Sequence, residues 1–437
     1  MNNGISRRNV LSIAAGVGAA TTLAACGGGG GDAGAAISTT EPITLRFTWW
    51  GSDARHKRTK QAIELFKTKY PNFTINGEFK DWNGYWDSLA TTVAANDAPD
   101  IIQMDELYLA SYAERGALLD LGTASTHLKT ADIDPAALDT GKVDGKQYAI
   151  PTGLNAYSFV VNDDLIKQFN ITLPDTETWS WEDLRTIGDK ISKASGGTVI
   201  GVQSWGFDTG SLNVWLRQQG AALYAPDGKV SAPPAVLAAY WQYLLDLAKA
   251  GISPQPSITI ERAAAALDQS GMATNTTAIG TSWNTQLTSY QAASGKNLRL
   301  IKIPGESQVG TPGAYYKSSM YWSISSRSKH PAEAAAFVDF LLNSQEAADV
   351  LLTDRGVPGN RTIRAALAPK LTATDKAAAD YLDAIKVGPA PRVTPNGASG
   401  IEAILKRHSE EVLFERKTPQ QAAESFIKEL QTEIDAA

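Results

Sequence analysis

Four tryptophans stand where β-prone runs end: Trp50 after 43–49, Trp82 after 73–79, Trp205 after 199–202 and Trp283 after 278–282. An indole at a strand end can lay its face on the C–H side of a flat ring, a contact favourable beyond the area it buries. Hydroxyls around such a ring need polar partners, because each one buried unpaired costs about 1–3 kcal/mol. Asp81, Gln103, Asp105, Asn155 and Arg355 lie at or near such run ends or in the segments that connect them, and are the expected partners. Tyr316 and Trp322 flank a further joint and could face a ligand or stiffen it. Filling a core is the competing use of an indole. Trp241, inside an apolar helical stretch, is expected to be core, and Trp179 and Trp181, which flank a helix start, are expected to pack there.

A basic run, Arg55-His56-Lys57-Arg58, crowds the start of a helical stretch. Cations there oppose the helix dipole by about 0.3–1 kcal/mol each. Two readings stay open: a solvated basic patch, or Arg55 and His56 turned toward a ligand, which would then carry a carboxylate or sulfate.

Composition removes several classes of function. The chain has 437 residues, 43% hydrophobic and 20% charged, the balance of a folded chain with a large core. Its net charge of −6 lacks the basic footprint of a nucleic-acid binder, so no nucleic-acid partner is expected. Four His and one Cys are too few for a zinc or iron–sulfur centre, and no metal or other cofactor is expected. There is no G-x-x-x-x-G-K-[S/T] loop, no G-x-S-x-G elbow and no H-E-x-x-H pair. A hydrolase or lyase acting on sugars would need two carboxylates about 5–9.5 Å apart, and Asp81 with Asp105 is the pair that could serve.

The elements that must position these residues alternate. Strand-like 43–50, 73–79 and 100–104 are separated by helical spacing over 62–70 and 86–95, and a helix over 107–115 stops at Gly116. This pattern predicts a parallel sheet with helical crossovers. A long β-prone stretch covers 147–161. Ser180, with Asp183 three residues on, predicts a capped helix from Trp181. Strands are expected at 277–282 and 320–325, helix over 331–352 with a break at Pro358-Gly359-Asn360, and an amphipathic C-terminal helix with Ile401, Leu405, His408 and Val412 on one stripe. Two α/β regions in a chain of this length predict two lobes.

Residues 1–25 read as an address. Ser6-Arg7-Arg8-Asn9-Val10-Leu11 has the form of a twin-arginine start, and an apolar run too short to span a membrane ends in Leu23-Ala24-Ala25-Cys26. This resembles a bacterial lipoprotein signal, in which Cys26 becomes the lipidated first residue. Residues 26–40, rich in Gly and Ala, are expected to form a flexible tether.

Taken in order, the body resembles the family 1 extracellular solute-binding proteins, the sugar-capturing lipoproteins of ABC importers. The resemblance rests on Leu45-Arg46-Phe47-Thr48-Trp49-Trp50-Gly51, Ala98-Pro99-Asp100-Ile101-Ile102-Gln103-Met104-Asp105, Gly145-Lys146-Gln147-Tyr148-Ala149-Ile150-Pro151, Thr178-Trp179-Ser180-Trp181-Glu182-Asp183-Leu184 and Trp322-Ser323-Ile324 before Lys329-His330-Pro331. It implies two α/β lobes, 41–152 with 321–362 and 153–320 with 363–437. The hinge would be crossed near Gly153, Met320 and Thr362, with a ligand cleft between the lobes. It further implies a non-catalytic, monomeric, membrane-anchored protein outside the cytoplasm. Such a protein hands a carbohydrate to the permease subunits of an importer. The Trp-Trp-Gly and Arg-His arrangement is similar to that of binders of pectin-derived oligosaccharides, which admits a uronic-acid ligand. A tethered glycoside hydrolase or lyase, and a glycerol-phosphate binder on the same fold, are the alternatives.

Overall fold

The computed structural model describes residues 31–264 and 267–437. The expected signal over 1–25 and the lipidation site Cys26 lie outside the described residues. Eight strands carry the architecture: β1 (Ile43–Trp50), β2 (Phe73–Lys80), β3 (Ile101–Met104), β4 (Ile150–Asn162), β5 (Ile200–Val202), β6 (Thr277–Trp283), β7 (Leu298–Ile301) and β8 (Tyr316–Ile324). They form one hydrogen-bonded path in the order β2-β1-β3-β8-β4-β6-β5, with β7 also paired to β4. Strands β1, β2 and β3 are mutually parallel, as their helical crossovers require.

The chain forms two lobes because β4 is long enough to serve both. Its first half pairs with β8 from Ile150 to Ala156, and its second half pairs with β6 from Tyr157 to Val161. Each lobe has its own apolar interior. In lobe 1, Phe47, Trp49, Phe66, Trp322 and Phe337 pack together; in lobe 2, Phe159, Trp179, Trp205, Trp241 and Phe426 do so. Trp241 and Trp179 are core residues, as expected, at 1% and 2% exposure.

Local signals explain the helix boundaries. Helix α1 (Asp53–Lys69) starts at Ser52, whose side chain accepts from the Arg55 amide; α2 (Trp82–Ala94) starts at Asp81 and α3 (Glu106–Glu114) at Asp105. Each cap side chain satisfies an amide that the helix leaves unpaired. In lobe 2, α4 (Trp181–Ala194) opens with the expected capping box of Ser180 and Asp183, and Asp208 caps α5 (Thr209–Gln218).

Two stretches differ from expectation. The tether expected over 26–40 is laid against lobe 1 from Gly31 onward: the Gly31 amide donates to Ser328 O at 3.0 Å and Ala33 is only 5% exposed. A small residue there fits where a larger one would not. The crossing expected near Thr362 also comes later. Asn360 caps helix Arg361–Leu367, whose Ile363 and Leu367 pack on Ala348 in lobe 1, so the break at Pro358-Gly359-Asn360 is a cap turn. Helix Ala373–Ala384 then spans the joint. Its Tyr381 hydroxyl donates to Tyr157 O at 2.9 Å, and Asn284 Nδ2 donates to Ala378 O at 2.8 Å.

Candidate functional site

Register alone brings the strand ends together. Strand β3 ends at Met104 opposite Tyr321, one residue from the point where β4 leaves lobe 1 at Gly153. Strand β6 runs against β4 and ends at Trp283 opposite Tyr157, where β4 enters lobe 2. The carboxyl ends of both sets of strands therefore face the joint from opposite sides. Ligands of α/β sheets sit at such ends.

On the lobe 1 side, Trp50 contacts Trp82 edge-on at 5.0 Å between ring centroids, and Trp86 at 5.6 Å. Trp86 in turn stacks on Tyr108 at 3.9 Å. Trp82 is the exposed member, at 37%. Trp50 is 8% exposed, so its indole mainly supports Trp82 and Trp86. Asp81 and Asp105 hold helix amides: Asp81 Oδ1 accepts from Gly84 at 2.7 Å, and Asp105 Oδ1 from Leu107 at 3.0 Å.

Three expected ligand partners lie inside lobe 1 instead. Gln103 is fully buried, donating from Nε2 to Trp50 O at 3.2 Å and accepting from Arg355 Nε at 2.9 Å. Arg355, 5% exposed, donates to Thr59 Oγ1 at 2.8 Å and lies 5.0 Å from the centre of the Trp322 ring. Trp322 is 2% exposed. Burial selects these side chains for each other, because a buried polar group must find a partner. Arg55 is held as well: its Nε donates to Asp354 Oδ2 at 2.9 Å and its Nη1 to Trp50 O at 3.2 Å. His56 stacks on Phe79 at 3.8 Å, and burial, then the charge of Lys60, lowers its pKa. Arg58 donates to Val350 O.

Lobe 2 presents a polar cavity of about 260 Å³ that sequence reasoning largely missed. Its lining includes Gln203, Asp208, Arg262, Ser282, Gln286 and Tyr290, along with the expected Trp205. Gln203 Oε1, Ser204 Oγ and Ser282 Oγ, on three residues of this lining, are enclosed behind its surface without a protein hydrogen-bond partner. Their positions follow from the strands, because Gln203 and Ser204 come directly after β5 and Ser282 is the penultimate residue of β6. Trp205, 4% exposed, closes one wall while packing on Phe159 and Trp181 behind it. Trp283 lies beside the cavity, half-buried. Its ring meets Tyr157 edge-on at 5.3 Å, Lys317 Nζ lies 5.7 Å from its centre, and a Cβ on Gly210 would come within 2.6 Å of it. The signal that could have found this wall is Asp208-Thr209-Gly210 after a strand: a capped helix start with room for an indole.

Between the lobes lies a smaller cavity of about 70 Å³, lined among others by Glu106, Tyr224, Tyr315, Tyr316 and Lys317. Tyr316 is 8% exposed and donates to Leu382 O at 3.3 Å. Lys317 Nζ meets Glu106 Oε2 at 3.0 Å, and Asn155 Oδ1 accepts from Thr285 Oγ1 at 2.7 Å. Arg392 touches both lobes, reaching Asp144 Oδ1 at 3.4 Å and Pro226 O. The lobes are thus in contact around the joint.

Burial pushes the Asp208 carboxyl up from 3.8 to about 6, with Glu402 adding to the rise and the Gly210 amide and Lys317 opposing it. Asp105 rises to about 6 for the same first reason. A raised carboxyl pKa stabilises the fold most below about pH 4, and that contribution is lost as pH climbs to about 6. Asp208→Asn keeps a good cap and removes the buried charge. Its urea midpoint at pH 8 should exceed the parent's by the equivalent of about 1–3 kcal/mol, with the gap closing at pH 4. Equal midpoints at pH 8 would show that the enclosed carboxylate carries no strain.

Residues 61–380 match the family model described as bacterial extracellular solute-binding protein. An uncharacterized lipoprotein of Streptomyces antibioticus is 24% identical over 334 residues, 72% of this chain and 70% of its own. The solved extracellular solute-binding protein family 1 structure from Alicyclobacillus acidocaldarius is 29% identical with a TM-score of 0.75, covering 90% of this chain and 99% of its own. A periplasmic oligogalacturonide binding protein from Yersinia enterocolitica, 24% identical, superimposes with a TM-score of 0.78 over 90% of this chain and 99% of its own.

Proposed function

This chain belongs to the bacterial extracellular solute-binding protein family, and from that premise we propose that it captures a carbohydrate outside the cytoplasm for an ABC importer. The polar cavity of about 260 Å³ at the facing strand ends carries the reading. Its lining by Gln203, Asp208, Arg262, Gln286 and Tyr290 offers donors and acceptors to a ring bearing hydroxyls, and Gln203 Oε1, Ser204 Oγ and Ser282 Oγ, enclosed just behind it, have no protein partner to hold them there. Trp283 and the exposed Trp82 offer indole faces from the two sides. A ligand touching both lobes favours the closed arrangement by its differential affinity for it, and the closed form is what the permease subunits read. Cys26 carries the lipid that keeps the protein at the membrane, and the protein works as a monomer.

The ligand on this reading is neutral. Asp354 already neutralises Arg55, and the cavity wall sets the acid Asp208 against the base Arg262, leaving no net positive charge to hold a uronate. That lowers the rank of uronic-acid oligosaccharides and glycerol phosphates as ligands. Catalysis is disfavoured too, because the two carboxylates that could flank a glycosidic bond, Asp81 and Asp105, are each engaged by a helix amide.

Calorimetric titration tests the reading. Protein starting at Gly27, so that the segment laid on lobe 1 is kept, is titrated with neutral oligosaccharides, uronic-acid oligosaccharides and glycerol phosphates, and the mixtures are then assayed for breakdown. Saturable binding of a neutral sugar at micromolar or tighter Kd, with the sugar intact, is expected. Cleaved sugar would make the protein an enzyme, and selective binding of uronides would return Arg55 to the site.

A further inference from the structure

The segment before the first strand fixes which lobe meets the membrane. Residues 31–42 are bound to lobe 1 along their length. The Gly31 amide donates to Ser328 O, Ala35 O lies 2.7 Å from His127 Nε2, and Asn72 Nδ2 donates to Ser38 O and Glu41 O at 3.0 and 2.9 Å. Ala33 is buried in the lobe 1 interior and Ile37 packs against it. The start of the segment is the tightest point, since a Cβ on Gly31 would fall 2.6 Å from Lys329 O and 2.8 Å from Pro331 Cδ. No lobe 2 residue takes part in these contacts.

Only five peptide units separate Cys26 from Gly31. At no more than about 3.6 Å each they reach at most about 18 Å, less than the width of a small domain. The surface where Gly31 docks mixes the bases Arg115, Arg327 and Lys329, all exposed, with the acids Asp32, Glu114, Asp100, which accepts from Ser328 Oγ at 2.6 Å, and Glu333, 3.9 Å from His330 Nδ1. We propose that the lobe 1 face around Ser328–Pro331 lies on the lipid surface, so that lobe 1 is the fixed lobe and lobe 2 the one that swings. This rests on the reading of Cys26 as the lipidated residue. The partner is the headgroup layer itself, because the short link from Cys26 cannot carry this face far from it. A flexible leash of the length expected over 26–40 would have set no orientation.

The test uses the full lipidated chain in vesicles of phosphatidylglycerol and phosphatidylcholine containing a spin-labelled lipid. Cys26 is the sole cysteine, so its lipidation leaves an introduced one as the only thiol to label. A fluorophore on Lys329→Cys should be quenched at least threefold more than one on Lys190→Cys, an exposed lobe 2 position; Arg115→Cys reads the lobe 1 face independently should the first variant fold poorly. Twenty Gly/Ser residues inserted between Gly30 and Gly31 should abolish the difference. Equal quenching at the two lobes without the insertion overturns the proposal. Failure of the chain to float with vesicles, or floating by Cys26→Ser, instead overturns the reading of Cys26 and is recognised before any quenching is read.

Discussion

Asp354→Ala is expected to lower unfolding free energy by about 2–4 kcal/mol, somewhat less than the loss of one member of a fully buried ion pair, because Asp354 and Arg55 keep a little contact with water. Asp354 Oδ2 accepts from Arg55 Nε at 2.9 Å and from Arg355 Nη1 at 3.3 Å, so one carboxylate serves two guanidinium groups. Arg355 is almost fully enclosed, and burial, with the nearby Arg55 charge second, pushes its pKa down to about 9. Without Asp354 the two cations repel each other in a poorly hydrated place. The damage spreads, because Arg355 also ties Gln103 at the end of β3 to Thr59 on α1. Asp354→Asn keeps an acceptor and should lose less. Arg355→Met, which deletes the enclosed cation but strands Gln103 Oε1, should fall between the parent and Asp354→Ala. Urea unfolding of the three variants checks the order, and an Asp354→Ala midpoint equal to the parent's would mean that the arginines are hydrated after all.

Trp283→Ala is expected to weaken carbohydrate binding at least tenfold while leaving the protein folded, about 1.4 kcal/mol of binding free energy or more. The indole is half-buried, with Gly210, Tyr157 and Tyr315 behind it and the joint in front. Truncation removes the face that would cover a sugar ring and frees Lys317 Nζ, 5.7 Å from the ring centre, to move. Trp283→Phe retains a smaller face and should recover part of the loss. The variants are compared by calorimetry with the best ligand of the panel, after far-UV circular dichroism and urea unfolding show them native. Parent affinity in a folded Trp283→Ala removes this residue from the site.

Much of the architecture was legible because its signals are local. The parallel β1, β2 and β3 followed from alternating strand and helix patterns, Ser180 with Asp183 announced α4, and the C-terminal stripe of Ile401, Leu405, His408 and Val412 is buried as read. The site was legible only in part. A strand end can be located in sequence, but whether its side chain turns into the lobe or toward the joint depends on partners far along the chain. Gln103 finds Arg355, and Arg55 finds Asp354, across more than two hundred residues. No local pattern contains those pairings, which is why three expected ligand partners proved to be interior ones. The polar cavity was missed for the opposite reason. Serines and glutamines after strands are common, and what distinguishes Gln203, Ser204 and Ser282 is the absence of a protein partner, which only packing reveals.

The register of β3 with β8 carries a consequence for how the chain is made. Met104 pairs with Tyr321, so the sheet of the first lobe lacks an inner strand until more than three hundred residues have left the ribosome. Until then the edge of β3 stays open and the lobe cannot close its interior. Non-local closure of this kind is slow. A nascent chain delayed in this way carries an unpaired inner edge for most of its synthesis, and that edge is open to mispairing until Tyr321 arrives.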